Sequence, residues 1–404
     1  MKTAAIIAEC NPLHNGHAFL FSRAREETGA DALLVFMSGD FVQRGEPALL
    51  DKHRRARMAL EAGADLVFML PTVYTVAPAE IFARGAVLTI DVTGIADRLV
   101  FGSESGDLDL LREAAALPPA DPELHEQLLA AMREGTNYPR AMKQAITAVR
   151  PDSTALADLI DHPNNLLGIE YLRSITLLRS SLRPLTIPRV PPSGTVTSAQ
   201  AIRTALREGR DASAFPEAFL PPASLKEIRE VLSSDTEQLV FTDALDDMLR
   251  YRLTMCDPET LAATGDISGD LAHRILNTRR SCTGFEDYAA LLRVKAFTLA
   301  RIRRSLMQLL LDLRRADRDR FLENRCTALR VLGFRETARP LLREIGARKD
   351  PRIPLIVRGA DHAVSDDLTA RLIAIDQRAG ALYNRLSSPD SAGKSEEEKP
   401  PVIF

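Results

Sequence analysis

The chain has 404 residues and a net charge of −3, with 45% hydrophobic and 26% charged residues. This composition is that of a globular protein with a large core, and the length predicts two domains, with three as an alternative. The charge argues against a protein that coats nucleic acid with its whole surface. No apolar run reaches about 18 residues, and the four cysteines are far apart, so we expect a cytoplasmic protein without membrane contact.

The first chemical signal stands near the start of the chain. An apolar run predicts a buried strand over residues 4–8, and the apolar spacing from Phe19 onward predicts a helix. His14 and His17 lie between them, spaced H-x-G-H around Gly16. The free N–H groups and the dipole of a helix start favour phosphate, to which neutral histidines can donate. The alternative is two ordinary histidines in a turn.

Strands and helices alternate in the first half of the chain. Short apolar runs predict further strands over residues 32–37, 65–70, 98–101 and 185–190. Helical patterns cover residues 51–62, 79–92 and 163–179. The alternation predicts an α/β fold with a parallel sheet, whose strand-end loops share one edge. We therefore expect the H-x-G-H turn, Ser38-Gly39, Arg44 and Gly102-Ser103 to converge on one crevice.

Two later segments carry polar residues at helix starts. Asn164 opens the helix over residues 163–179, where an Asn is either a cap or a ligand contact. Residues 191–197 form a loop rich in Pro, Ser, Gly and Thr, and Ser198 then caps a helix that carries Arg203. Such a loop suits closure over a phosphorylated ligand, and it suits an ordinary connector equally well.

From about residue 216 onward, helical patterns replace strands. The predicted helices cover residues 224–232, 243–254, 270–278, 285–313 and 319–332. A short strand is predicted over residues 353–357, and residues 387–399 are polar and acidic enough to predict disorder. These patterns divide the chain into a first domain over residues 1–197, a helical domain over residues 198–385 and a tail over residues 386–404.

The second half contains a strongly basic stretch. Residues 274–349 hold 19 Lys and Arg against 8 Asp and Glu, a balance of +11. Such a density is typical of a surface that contacts the phosphate backbone of RNA, although a solvated helix face remains the alternative. Lys295, Arg301 and Arg304 are our candidates for this contact. Lys52, on the basic helix over residues 51–62, is a further candidate, or part of a merely charged face.

Several segments of the chain form a recognisable set. They are Glu9-x-Asn11-Pro12-x-His14-Asn15-Gly16-His17, Met37-Ser38-Gly39, Gln43-Arg44-Gly45-Glu46-Pro47-Ala48, Phe82-Ala83-Arg84-Gly85, Phe101-Gly102-Ser103-Glu104, Pro163-Asn164-Asn165-x-Leu167-Gly168 and Lys295-x-Phe297-Thr298-x-x-Arg301-x-x-Arg304. This set resembles the tRNA(Met) cytidine acetate ligase family of the H-x-G-H nucleotidyltransferase superfamily. The resemblance spans roughly residues 1–360, and its Gln-Arg-Gly-Glu-Pro segment is much more specific than H-x-G-H.

The resemblance implies a Rossmann-like nucleotidyltransferase domain that binds ATP, followed by a mainly α-helical domain that binds tRNA. It implies catalytic roles for His14 and His17, to which we add Arg44 from the same crevice. The residues expected to contact ATP are Ile7, Ala8, Glu9, Cys10, Asn11, Pro12, Leu13, His14, Asn15, Gly16, His17, Ala18, Phe19, Leu20, Ser38, Gly39, Gly102, Asn164, Arg189 and Ser198.

The implied reaction joins acetate to ATP as acetyl-adenylate, with release of pyrophosphate. The acetyl group then passes to the wobble cytidine of elongator tRNA(Met), which yields N4-acetylcytidine and AMP. We expect Mg²⁺ to arrive with ATP rather than at a dedicated protein site, and we expect no DNA partner. The RNA contacts are assigned to Lys295, Arg301, Arg304 and Lys52.

The sequence departs from the family pattern at two places. Relatives typically carry Ser-Ala-Thr-Ser-Ile-Arg where this chain has Ser198-Ala-Gln-Ala-Ile-Arg203, so two hydroxyl groups are lost. Cys10 replaces a usual aromatic residue; it is either a nucleophile or a small apolar lining residue. Two other functions remain open: a small-molecule adenylyltransferase of cofactor synthesis, and a non-catalytic RNA-binding protein with a relict nucleotide fold.

Overall fold

A mostly parallel sheet organises the fold and confirms the α/β prediction. The computed structural model describes residues 1–117, 121–189, 198–209, 219–358, 366–388 and 399–404. The described strands are β1 (Thr3–Ala8), β2 (Ala32–Ser38), β3 (Phe41–Val42), β4 (Glu46–Pro47), β5 (Leu66–Leu70), β6 (Arg98–Ser103), β7 (Arg183–Pro188), β8 (Leu329–Phe334), β9 (Leu355–Ile356) and β10 (Val402–Ile403). The sheet has the order β10-β8-β5-β2-β1-β6-β7, with β9 beside β8, and β3 and β4 form a separate hairpin.

Helices cover both faces of this sheet. The described helices are α1 (Asn15–Thr28), α2 (Lys52–Glu61), α3 (Thr72–Thr75), α4 (Ala79–Asp91), α5 (Leu108–Ala116), α6 (Pro122–Arg133), α7 (Tyr138–Val149), α8 (Thr154–Leu159), α9 (Pro163–Leu178), α10 (Ala199–Arg207), α11 (Pro222–Leu232), α12 (Asp246–Met255), α13 (Pro258–Ala263), α14 (Gly269–Thr278), α15 (Phe285–Leu292), α16 (Leu299–Leu310), α17 (Arg315–Glu323), α18 (Arg339–Arg348) and α19 (Asp367–Ser387). Every residue of β1, β2 and β5 is buried, as expected for parallel strands covered on both sides.

Two helix predictions in the second half were wrong. Residues 285–313 form α15 and α16 rather than one helix, with an irregular segment between them that includes Val294 and Phe297. Residues 319–332 were predicted as one helix, but α17 ends at Glu323 and Leu329–Phe334 is β8. Strand β8 lies antiparallel to β5, so the second half completes the sheet of the first half.

The domain boundaries therefore remain a prediction. The last strand of the first half was predicted over residues 185–190, whereas β7 spans Arg183–Pro188 and Arg189 follows it. The predicted loop over residues 191–197 lies outside the described residues, and so do residues 389–398 of the tail over residues 386–404 that was predicted to be disordered. At the two ends of this tail, α19 extends to Ser387 and Val402–Ile403 forms β10 beside β8. In the described ranges, no helix is both long enough and apolar enough to cross a membrane.

The hairpin of β3 and β4 is where the two halves meet. Phe41 belongs to an apolar cluster made mainly by the helical half, and its ring lies 6.1 Å from that of Tyr383. At the hairpin tip Gly45 has a φ of +76°, and a Cβ built there would lie 2.3 Å from the backbone N of Arg304 in α16. Only a glycine therefore allows the hairpin and α16 to pack this closely.

We expect Gly45→Ala to destabilise the protein by about 2–4 kcal/mol, since overpacking costs about 1–3 kcal/mol and a left-handed non-glycine residue about 1 kcal/mol. The matched control is Gly135→Ala, because Gly135 has a φ of +78° and nothing within 4 Å of its built Cβ. Urea unfolding of both variants measures the difference. Equal destabilisation of the two would show that the contact between the hairpin and α16 is loose.

Candidate active site

The H-x-G-H turn forms the start of α1 through its own side chains. His14 is the N-cap, and its Nδ1 accepts a hydrogen bond from the backbone N–H of Gly16 at 3.0 Å. Nδ1 of His17 accepts from the backbone N–H of His14 at 3.2 Å. The two rings lie 4.1 Å apart between centroids. A Cβ on Gly16 would lie 2.8 Å from Cε1 of His14, so this glycine leaves the space for that ring.

These hydrogen bonds decide the protonation state of both rings. An Nδ1 atom that accepts a hydrogen bond carries no proton, so each neutral ring carries its proton on Nε2. Burial and the nearby Arg189 lower the pKa of His14 to about 4. Burial, His14 and Arg189 lower the pKa of His17 well below its usual value. At neutral pH the turn therefore presents two uncharged rings, each with an Nε2–H donor.

A buried arginine lies beneath this turn. Arg55 has no exposed surface, and its Nη1 donates to the carbonyls of Glu9 at 2.8 Å and Ser38 at 3.1 Å. Its Nη2 donates to the carbonyl of Gly39, and its Nε donates to that of Leu50 at 2.9 Å. Arg55 thus joins the carboxyl ends of β1 and β2. Sequence reasoning missed this role. The usable signal was that Arg55 lies four residues from an apolar residue of α2, which places it on the apolar face of this helix.

Asn11 and Arg203 connect the turn to the hairpin and to α10. Oδ1 of Asn11 accepts from the backbone N–H of Leu49 at 2.7 Å, while its buried Nδ2 has no hydrogen-bond partner among the described residues. Nη1 of Arg203 donates to the carbonyl of Asn11 at 2.7 Å, and Nη2 of Arg203 pairs with Glu46 of the hairpin. Arg44 is exposed at the hairpin and donates to Gln200 of α10 at 3.3 Å. Arg203, at the end of the altered family segment, therefore has a structural role.

The other wall of the site is built by β6, α9 and the residue after β7. A Cβ on Gly102 would lie 3.3 Å from Cγ of Arg189, so the glycine admits this side chain beside the end of β6. Asn164 donates from Nδ2 to Glu104 at 2.6 Å, and Glu104 also accepts from the backbone N–H of Asn165 at 3.0 Å. The start of α9 is thus held by Glu104, and Asn164 is oriented by it.

These elements surround one cleft of about 2490 Å³, larger than the roughly 300–1,000 Å³ of an ordinary small-ligand site. The predicted site residues that line it are Ile7, Ala8, Glu9, Asn11, His14, Asn15, Gly16, His17, Phe19, Leu20, Arg44, Gly102, Asn164, Arg189, Ser198, Arg301 and Arg304. The predicted ATP contacts that do not line it in this structure are Cys10, Pro12, Leu13, Ala18, Ser38 and Gly39.

Two of these residues have physical reasons for their exclusion. Cys10 is fully buried, and burial raises the pKa of its thiol to about 12, so it is an apolar packing residue rather than a nucleophile. The carbonyl of Ser38 is held by Arg55, and its side chain has no exposed surface. Of the residues predicted to converge on one crevice, the H-x-G-H turn, Arg44 and Gly102 line the cleft, whereas Ser38, Gly39 and Ser103 do not. The end of β2 therefore supports the site without forming cleft surface.

The assignment of Lys52 to RNA was wrong. Lys52 is 2% exposed, and its Nζ lies 2.6 Å from Oδ2 of Asp40, so its charge is neutralised inside the protein. The neighbouring Arg54 is held by three carboxylates of the second half: Glu227 at 2.5 Å, Glu237 at 2.6 Å and Glu230 at 3.1 Å. The basic face of α2 therefore packs against α11 and the segment after it.

The other RNA candidates have different environments. Lys295 is exposed in the segment between α15 and α16. Arg301 lies over the ring of Phe297 at 4.9 Å and lines the cleft. Arg304 also lines the cleft, but only 14% of its side chain is exposed. The helical half thus contributes positively charged residues to the lining of the same cleft as the H-x-G-H turn.

The comparisons with known proteins cover the whole chain. The HIGH Nucleotidyl Transferase family matches residues 1–399. The tRNA(Met) cytidine acetate ligase of Clostridium acetobutylicum is 31% identical over 405 residues, with 96% of this chain and 97% of that protein covered. The protein of the same name from Halothermothrix orenii is 34% identical over 407 residues, covering 96% and 95%.

A solved structure agrees with the same assignment. Thermotoga maritima TmcAL, bound with alpha-thio ATP, matches with a TM-score of 0.91 and 28% identity, and 100% of both chains is covered. The apo form of that protein also matches with a TM-score of 0.91. The resemblance predicted from the motifs is thereby confirmed, and the chain belongs to the HIGH nucleotidyl transferase family.

Proposed function

We propose that this protein acetylates the wobble cytidine of elongator tRNA(Met), with ATP and acetate as co-substrates, in the cytoplasm. The observation that carries the proposal is the pair of neutral histidines at the start of α1, which faces a cleft. Full-length relatives named tRNA(Met) cytidine acetate ligase support the RNA substrate. A full-length structural match bound with an ATP analogue supports ATP.

The first step needs donors rather than a base, because acetate is already ionised at neutral pH. One carboxylate oxygen attacks the α-phosphorus in line, the bond from phosphorus to the bridging oxygen breaks, and pyrophosphate leaves with that electron pair. Negative charge builds on the α-phosphoryl oxygens in the transition state. The Nε2–H groups of His14 and His17 and the N–H groups of α1 stabilise this charge. Arg44 at the rim attracts the departing pyrophosphate.

Magnesium enters this scheme with ATP. Among the described residues, no group of three or more His, Cys, Asp and Glu side chains could hold a metal ion. Glu9, which lines the cleft, accepts from the backbone N–H of Gln43 at 2.7 Å, and Glu46 of the hairpin pairs with Arg203. These contacts fit an ion held mainly by phosphates and water, to which it supplies positive charge.

In the second step the N4 amine of the wobble cytidine attacks the acetyl carbonyl carbon. The bond from this carbon to the phosphate oxygen breaks, AMP leaves, and N4 loses one proton to solvent. The size of the cleft supports this step, because it has room for an unstacked nucleotide beside ATP. Nucleoside analysis of tRNA after incubation with protein, ATP and acetate tests the whole reaction. Unmodified cytidine after complete incubation would contradict the proposal.

We expect His17→Ala to lower acetate-dependent exchange between ATP and pyrophosphate by about 10²–10³-fold, because one transition-state donor is lost. The exchange is measured with labelled pyrophosphate in the absence of tRNA. His125→Ala is the control, since His125 is exposed on α6, and it should keep full exchange. A loss of less than threefold for His17→Ala would remove this histidine from the mechanism.

The two histidines should remain neutral far into the acid range. We expect NMR of ¹⁵N-histidine-labelled protein without ATP to show protonated Nε2 and bare Nδ1 on His14, with a midpoint near pH 4. Bound ATP adds negative charge and should raise this midpoint, since an anion favours the protonated ring. A midpoint between pH 6 and 7 without ATP would mean that the ring is solvated and free of the capping bonds.

Lys295 should contribute to RNA affinity through charge alone. We expect Lys295→Ala to weaken tRNA binding about two- to fivefold and to reduce the slope of log affinity against log salt by about one. Filter binding at several salt concentrations measures both. Lys226→Ala is the control, because Lys226 is an exposed lysine on α11 outside the basic stretch. The same loss in both variants would argue for a diffuse rather than local RNA contact.

A further inference from the structure

Arg304 is a half-buried cation whose guanidinium makes no hydrogen bond to any described residue. Its side chain is 14% exposed, its Nε is buried without a partner, and no hydrogen bond of its guanidinium occurs within the described parts of the chain. The acid beside it is Asp266, whose Oδ2 lies 3.8 Å from Nε, too far for a hydrogen bond. Arg304 lines the cleft, and its two Nη groups make no hydrogen bond to the described residues, so these donors are available to an acceptor on a ligand.

Asp266 cannot turn to satisfy Arg304, because its own contacts hold it. Its Oδ1 accepts from Arg318 at 2.9 Å, and its Oδ2 accepts from Nε2 of Gln308, also at 2.9 Å. The backbone N–H of Asp266 donates to Oε1 of Gln308 at 2.7 Å. This part of the cleft wall therefore offers hydrogen-bond donors to a ligand, while its carboxylate oxygens are already used.

Arg301 adds a flat surface one helical turn away. Its guanidinium lies 4.9 Å from the centroid of the Phe297 ring, so one face is covered by the aromatic ring. Arg301, Phe297 and Arg304 all line the cleft. An unstacked base is commonly bound by stacking on an arginine plane or an aromatic ring while donors bond its edge. The wall thus combines a stacking surface with an edge donor.

We propose that Arg304 and Arg301 form the pocket for the wobble cytosine, with Arg304 donating to its N3 and O2 and Arg301 stacking on its face. This inference rests on the proposed function. Cytosine has acceptors at N3 and O2 and a donor only at N4. Donors on the cleft wall would bind N3 and O2 and leave the N4 amine free. This amine is the group that must attack the acetyl carbon. Uracil carries an N–H donor at N3, which would face the N–H donors of Arg304, so uracil should bind this pocket less well.

The test compares tRNA(Met) carrying cytidine or 3-deazacytidine at the wobble position. The analogue keeps O2 and the N4 amine but replaces the N3 acceptor with C–H. The wild-type protein should transfer acetyl to the analogue at least tenfold more slowly than to cytidine. Arg304→Met should slow transfer to cytidine at least 30-fold and reduce the ratio between the two tRNAs to about one-third of its wild-type value or less. For Arg304→Lys, both the transfer rate to cytidine and the ratio between the two tRNAs should lie between the values of the wild type and of Arg304→Met.

Two other ligands for Arg304 predict different results. If Arg304 held the acetate carboxylate, Arg304→Met would raise the KM for acetate in the tRNA-independent exchange. If it held an ATP phosphate, the KM for ATP would rise instead. Either result would overturn the inference, and so would an unchanged ratio between cytidine and 3-deazacytidine. Arg140→Met, at an exposed arginine on α7, controls for loss of one positive charge.

The design separates this inference from the proposed function. If the wild-type protein forms no acetyl-adenylate and no N4-acetylcytidine, the proposed function fails before Arg304 is tested. If the wild-type protein performs both steps and Arg304→Met keeps exchange but loses discrimination at N3, the inference holds. Circular dichroism and thermal unfolding of each variant confirm that the loss is not one of folding, and Arg304→Lys supplies a second variant if the methionine destabilises α16.

Discussion

The site depends on how one buried guanidinium holds the strand ends. The chain leaves a parallel sheet at the carboxyl end of each strand, so the carbonyls there lose their ladder partners and must find other donors. Arg55 supplies these donors to Glu9, which follows β1, and to Ser38 and Gly39 at the end of β2. Because its charge is spread over several carbonyl contacts, the arginine is stable without exposure to water. Arg55 therefore fixes the backbone position from which the turn with His14 and His17 begins.

The hairpin of β3 and β4 connects the helical half to the backbone before the H-x-G-H turn. Arg203 bonds the carbonyl of Asn11 on one side and pairs with Glu46 on the other, so α10, the turn and the hairpin form one network. Gly45 then brings the same hairpin against the backbone of α16. The H-x-G-H turn and α16 are thus linked by a continuous set of contacts, although they come from different halves of the sequence.

The sequence predicted what depends on local patterns. β2 and β5 were placed to within one residue, because strands buried on both faces are short apolar runs between turn residues. The turn from β1 into α1 was predicted because the apolar run and the helical spacing around it are local, but the capping bonds of His14 and His17 were not predicted. β8 was missed because its strand conformation depends on pairing with β5, about 260 residues earlier, while its own pattern is also helical.

The environment of each charged residue was the hardest property to predict, because it also depends on contacts between residues far apart in the sequence. Lys52 and Arg301 are both basic residues in helical patterns, and only tertiary contacts separate them. Asp40 neutralises Lys52 inside the protein, whereas Arg301 remains at the cleft on the ring of Phe297. A balance of +11 over residues 274–349 therefore predicted a basic wall but could not say which residues form it.

The charge state of His14 and His17 is tied to the hydrogen bonds at the start of α1. In the proposed mechanism, uncharged Nε2–H groups donate to the phosphoryl oxygens without placing a full charge at the turn. The capping bonds enforce this choice, because a proton on Nδ1 of His17 would oppose the N–H of His14 that now donates to it. Protonation would thus disrupt the start of α1 as well as change the charge of the site. The same two hydrogen bonds therefore cap the start of α1 and favour the uncharged state of its histidines, which is the state that the proposed mechanism uses.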